Sequence, residues 1–150
     1  MTFVGSKYNE TKNLSTTEIA KLIRADIKAA KADGSIPKFC KVSVNTEYFA
    51  NGSSIDVRLK TWEGEMVNIE LAREIYPNRP CNMKDILVMK LAKTLSTLQA
   101  IHDSYNQDSS ESMVDYFCVN YYGYADLDSE LSDKIHETLK ANNIKGYYDR

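Results

Sequence analysis

The first strong pattern in the chain is Ser15-Thr16-Thr17-Glu18, a capping box, followed by Ile19, Leu22, Ile23, Ile27 and Ala30 at helical spacing. With Asp33-Gly34 as a stop, the spacing predicts an amphipathic helix over residues 16–32, whose outer face carries Lys21, Arg24, Lys28 and Lys31. The period then changes from helical to two. Val42, Val44, Thr46 and Tyr48 alternate with Lys41, Ser43, Asn45 and Glu47, and after Asn51-Gly52-Ser53-Ser54 the alternation resumes at Ile55, Val57 and Leu59. Each run has one apolar and one polar face, which predicts a β-hairpin with a connection over Ala50–Ser54.

Residues 61–81 are punctuated by Gly64, Pro77 and Pro80 and read as an excursion from the scaffold, with a short strand or local helix around Met66, Ile69 and Leu71. From Met83 to Tyr105, Ile86, Leu87, Leu91, Leu95, Leu98, Ile101 and Tyr105 recur at spacings near three and four, predicting one long helix with Asn82 at its cap. The polar stretch 103–112 reads as a loop. Residues 116–124, YFCVNYYGY, have the aromatic and β-branched content of a strand. Leu127, Leu131, Ile135 and Leu139 mark a last helix, with Asp126 or Asp128 at its start and Gly146 near its end.

The expected architecture is therefore α+β: a small antiparallel sheet packed by two or three amphipathic helices, in the order α-β-β-(insert)-α-β-α. One compact domain over residues 1–150 is the economical reading, since 17.0 kDa with 43% hydrophobic residues suffices for a continuous core.

Composition narrows the chemistry. Cys40, Cys81 and Cys118 are odd in number and widely spaced, which fits a reducing cytoplasm better than a disulfide framework or a zinc site. No apolar run approaches the roughly 18 residues of a membrane span, so neither membrane insertion nor secretion is expected. The formal charge is −2, but it is unevenly spread: residues 1–60 hold ten Lys/Arg against six Asp/Glu, and residues 111–150 hold four against eight. A basic face on the first helix and hairpin, formed by Lys21, Arg24, Lys28, Lys31, Lys38, Lys41, Arg58 and Lys60, makes a nucleic-acid contact an alternative worth carrying, with Tyr48 or Phe49 as stacking groups.

Candidate reaction centres are weak. His102-Asp103 and His136-Glu137 are adjacent pairs without a third group to organise them, and His102 at a helix end reads as a surface or capping residue. Asp103, Asp108, Glu111 and Asp115 lack the glycine and terminal glutamate of a calcium loop. No catalytic, cofactor-binding or metal-ligating residue is assigned and no cofactor is expected. An enzyme with a dispersed site is a further alternative.

Residues 7–39, KYNETKNLSTTEIAKLIRADIKAAKADGSIPKF, and 53–59, SSIDVRL, resemble a large polyvalent-protein-associated domain of phage and mobile-element proteins, and residues 106–123 are compatible with the same family. That family has no general activity to carry onto particular positions. What the resemblance implies is a context of host takeover or defence evasion: a non-enzymatic accessory protein in the host-cell cytoplasm that binds and inhibits a host enzyme or defence complex, an anti-CRISPR or other anti-defence protein among them. Two surfaces are candidates for partner binding. One is basic, with Lys21, Arg24, Lys28, Lys31, Arg58 and Lys60; the other is aromatic, with Trp62, Tyr76, Tyr121, Tyr122 and Tyr124. A homodimer could bury that aromatic patch or the terminal pair Tyr147-Tyr148.

Overall fold

The computed structural model describes residues 2–76, 83–110 and 119–144. Strand β1, Phe3–Val4, and a single helical turn α1, Tyr8–Thr11, precede the first long helix, α2, Thr16–Asp33. Both halves of the predicted capping box are formed around Ser15 and Glu18, and Gly34 ends the helix in the left-handed conformation with φ 86°. Strands β2, Val42–Phe49, and β3, Gly52–Leu59, make the expected antiparallel hairpin. Its connection is shorter than the spacing suggested: Phe49 pairs with Gly52, leaving only Ala50 and Asn51 in the turn.

The described part of the segment expected to be an excursion, residues 61–76, contributes to the core. Helix α3, Ile69–Ile75, is capped by the Asn68 side chain, which accepts from Leu71 N–H at 3.1 Å, and it buries Ala72 and Ile75. The expected excursion is thus packed through Tyr76, while Pro77, Pro80, Cys81 and the proposed cap Asn82 lie outside the described residues.

The single long helix expected from Met83 to Tyr105 is two pieces: a 3-10 turn, Met83–Ile86, and helix α4, Met89–Asp103. The break has a backbone cause. Asn68 N–H donates to Ile86 O at 2.8 Å and Val88 N–H to Met66 O at 2.9 Å, so Leu87 forms an antiparallel bridge with Val67 of the preceding loop between the two helical pieces. Spacings of three and four in apolar residues do not distinguish that arrangement from a continuous helix.

Beyond α4, β4, Gln107–Asp108, pairs with β1 inside the stretch expected to be loop. Strand β5 is Ala125–Leu127, later and shorter than the strand expected over 116–124, of which residues 116–118 lie outside the described residues. β5 joins β3 in parallel, so the principal sheet, ordered β2-β3-β5, is mixed where an all-antiparallel one was expected. Helix α5, Ser129–Ala141, follows, with Asp128 at its N-cap but making no side-chain cap bond. The chain is an α+β fold with a small sheet flanked by helices.

One face of the principal sheet is apolar. Val44 from β2, with Ile55, Val57 and Leu59 from β3, meets Ile19, Ile23 and Ile27 of α2 and Leu91, Leu95 and Leu98 of α4 in a single cluster that also takes in Leu131, Ile135 and Leu139 of α5. The helices therefore hold the sheet from one side. Its other face is set by the alternation of side chains along each strand.

Candidate binding site

Register defines that outer face row by row. Phe49 stands opposite Gly52, Glu47 opposite Ser54, Asn45 opposite Asp56, and Ser43 opposite Arg58. On the β5 side, Tyr122 bridges to Ser54 and Asp126 pairs with Arg58, which places Tyr124 beside Asp56. Phe49, Tyr122 and Tyr124 are 46%, 40% and 50% exposed, large values for aromatic residues projecting from a sheet.

Glycine shapes this face twice. The Phe49 and Tyr122 rings lie 6.0 Å apart between centroids, and a Cβ on Gly52 would come within 3.3 Å of the Tyr122 ring and 3.5 Å of the Phe49 ring. Gly52 is thus the floor on which both rings rest. Gly123, with φ 100°, brings its backbone so near β3 that a Cβ there would sit 2.1 Å from the Ile55 carbonyl oxygen. This close approach lets Tyr122 donate from its N–H to Ser53 O at 2.8 Å and accept from Ile55 N–H at 2.9 Å, fixing the aromatic row to the sheet.

Arg58 organises the far end of the row. Its Nη1 donates to the carbonyls of Val57 and Tyr124 at 3.0 and 2.8 Å, Nη2 donates to Asp56 at 3.4 Å, and the guanidinium lies 4.9 Å from the centroid of the Tyr124 ring. Lys84, absent from the sequence-derived candidates, approaches the same ring at 5.7 Å. Lys60 is paired with Asp128 at 3.3 Å. Glu47, Asp56 and Asp126 share this face with Arg58, so charge there is mixed.

The other sequence-derived candidates are dispersed. Trp62 packs edge-on against Phe39 at 5.2 Å and donates from Nε1 to Glu65 O at 3.1 Å, while Tyr76 is half-buried against the core. Tyr121 is a correction: only 1% exposed, it is a core residue whose hydroxyl donates to the His102 carbonyl, and burial raises its phenol pKa. It points inward because Tyr122 and Tyr124, one residue out of phase, point outward. Lys21, Arg24, Lys28 and Lys31 lie on α2 beside the β2 edge, away from the aromatic row.

His102 also departs from expectation. It is fully buried, not on the surface, with Nδ1 2.8 Å from Asp103 and Nε2 2.9 Å from the Ile55 carbonyl oxygen. Both ring nitrogens are committed to structural contacts. The signal in the sequence was the helical phase of α4: His102 lies four residues beyond Leu98 and seven beyond Leu95, on the buried stripe. Cys40 is buried and burial raises its thiol pKa, so it is poorly disposed to act as a nucleophile. Among the described residues no group of three or more His, Cys, Asp or Glu side chains is placed to hold a metal ion, and no helix is long and apolar enough to cross a membrane.

No family model matches the chain, and no curated protein or solved structure matches it either.

Proposed function

We propose that this chain is a non-enzymatic protein-binding module whose outer sheet face, centred on Phe49, Tyr122 and Tyr124, captures a partner protein. The observation that carries this reading is the exposed aromatic row fixed on a hydrogen-bonded floor. Aromatic side chains with few rotatable bonds bury large area at low entropic cost, and a rigid floor reduces the ordering needed on binding. The polar groups around the row also favour a protein. Arg58 donates to Val57, Tyr124 and Asp56, and Glu47, Asp56 and Asp126 set three carboxylates against Arg58 and Lys84 on the same face, which leaves no net attraction for a phosphate backbone.

Taken with the resemblance of residues 7–59 to a phage and mobile-element domain, the reading becomes a host-directed accessory protein acting in the host-cell cytoplasm, inhibiting an enzyme or defence complex by occupying one of its surfaces. The test uses the full chain as bait in nuclease-treated host lysate, beside a Phe49→Ala/Tyr122→Ala/Tyr124→Ala variant whose thermal melt matches the parent. A stoichiometric protein complex recovered by the parent and lost by the variant is the expected result. Recovery that vanishes with nuclease and falls steeply with salt would replace a protein partner by nucleic acid.

A further inference from the structure

The outer edge of β2 is a second surface, separate from the aromatic row. Lys60 N–H donates to the Lys41 carbonyl at 2.7 Å, and bonded and unbonded pairs alternate in an antiparallel ladder. Residues 43, 45, 47 and 49 therefore bond toward β3, whereas Val42, Val44, Thr46 and Tyr48 turn their backbone groups outward. The partners of Val44 and Thr46 agree: Val57 and Ile55 bond on their far side, to Tyr124 and Tyr122. Among the described residues no strand pairs with this edge.

Helix α2 runs alongside it. Thr17, Lys21, Arg24 and Lys28 recur at spacings of three and four and so share one stripe. Two of them are anchored on β2: Thr17 N–H donates to the Tyr48 hydroxyl at 3.1 Å, and Arg24 Nη2 donates to the outward carbonyl of Val44 at 2.7 Å. Lys21 lies between these anchors and Lys28 beyond the second. Both lysines are exposed, and neither forms an ion pair with a described residue.

We propose that the β2 edge and this basic stripe together form a docking site for an extended acidic segment of a partner protein, added to the sheet as a fourth strand. The incoming main chain completes the ladder at Val42, Val44 and Thr46, and carboxylates on its helix-facing side pair with Lys21, Arg24 and Lys28. Arg24 is the latch. In the free protein it occupies the Val44 carbonyl and blunts the open edge; an arriving backbone N–H takes that carbonyl while a carboxylate takes the guanidinium, so a strand without acids leaves the arginine unpaid. A second copy of this chain fits poorly, because it would set one Lys21-Arg24-Lys28 stripe against another. A nucleic-acid strand matches the charge but has no alternating N–H and C=O groups to complete a ladder.

The site does not depend on the aromatic face and is tested with purified protein. The probe is an acetylated, amidated peptide of alternating Glu and Val, as long as β2 and labelled for fluorescence anisotropy; beside it run a Lys-for-Glu peptide, a Glu-Val peptide with N-methylated backbone, and an oligothymidylate. The expected result is binding of the Glu-Val peptide with shifts of the Val44 and Thr46 amide resonances, loss of binding on N-methylation, and weakening by at least about tenfold in Lys21→Glu/Lys28→Glu, a surface change checked by an unaltered melt. No binding of the Glu-Val peptide, equal binding of its N-methylated form, or tighter binding of oligothymidylate would each overturn the proposal.

Discussion

The buried imidazole of His102 reaches from α4 to the backbone carbonyl of Ile55 on β3, with Nε2 2.9 Å from the oxygen. A carbonyl can only accept, so Nε2 carries the hydrogen. The Tyr121 ring stands edge-on to the imidazole at 5.1 Å, and its hydroxyl bonds the His102 carbonyl, so helix, sheet and the segment leading to Tyr122 meet at one residue. His102→Ala leaves a cavity and an unsatisfied buried acceptor, and is expected to cost about 2–4 kcal/mol in urea denaturation. A loss below about 1 kcal/mol would show that the contact does not hold the helix to the sheet.

Gly123 also lies close to this carbonyl. Gly123→Ala places a Cβ where only 2.1 Å separates it from Ile55 O, in a residue whose φ is already 100°. Both effects act against alanine, and the expected loss is at least about 2 kcal/mol, with weakened protection of the Ile55 and Tyr122 amides in hydrogen exchange. Gly34→Ala is the control. It shares the positive φ, but nothing lies within 4 Å of its added Cβ, so it is expected to lose only about 1 kcal/mol.

How far the fold was legible depends on whether a signal was local. Ser15, Glu18 and Gly34 act within their own helix, and the β2-β3 alternation acts within one hairpin, so both elements could be read from spacing. The break at Leu87 could not, because it arises from pairing with Val67, twenty residues earlier. Tyr-rich residues 116–124 have strand propensity, but the register with β3 is set at Ala125–Leu127, where the parallel ladder forms. The candidate face was half legible: Tyr122, Tyr124 and Arg58 were singled out, but only the tertiary register brings Phe49 and Lys84 to them and sends Tyr121 inward.

The α2 cap gives a smaller and cleaner effect. Ser15 Oγ accepts from Glu18 N–H at 3.1 Å, and Glu18 Oε1 lies 3.4 Å from Ser15 N–H. Ser15→Ala is expected to destabilise the chain by about 1 kcal/mol, while Ser15→Asp retains an acceptor next to the helix dipole and stays within about 0.5 kcal/mol of the parent. Urea midpoints of the two variants check this; equal losses would mean that the hydrogen bond is not the source of the effect.

Alkaline pH should unfold the protein earlier than its acidic composition alone would suggest. Burial raises the pKa of Cys40 from 9.0 and those of Tyr105 and Tyr121 from 10.0, and Tyr105 is held further by donating its hydroxyl proton to Asp26 at 2.5 Å. The native state therefore keeps protons that the unfolded chain releases first. Stability from these groups is complete below their unfolded pKa values and is lost as pH rises through the native ones, so urea midpoints are expected to hold steady to about pH 8 and then decline. Cys40→Ala removes one of the three groups, lowering the midpoint at neutral pH through lost packing but making the decline shallower. A parent midpoint that stays level up to about pH 10.5 would contradict this linkage.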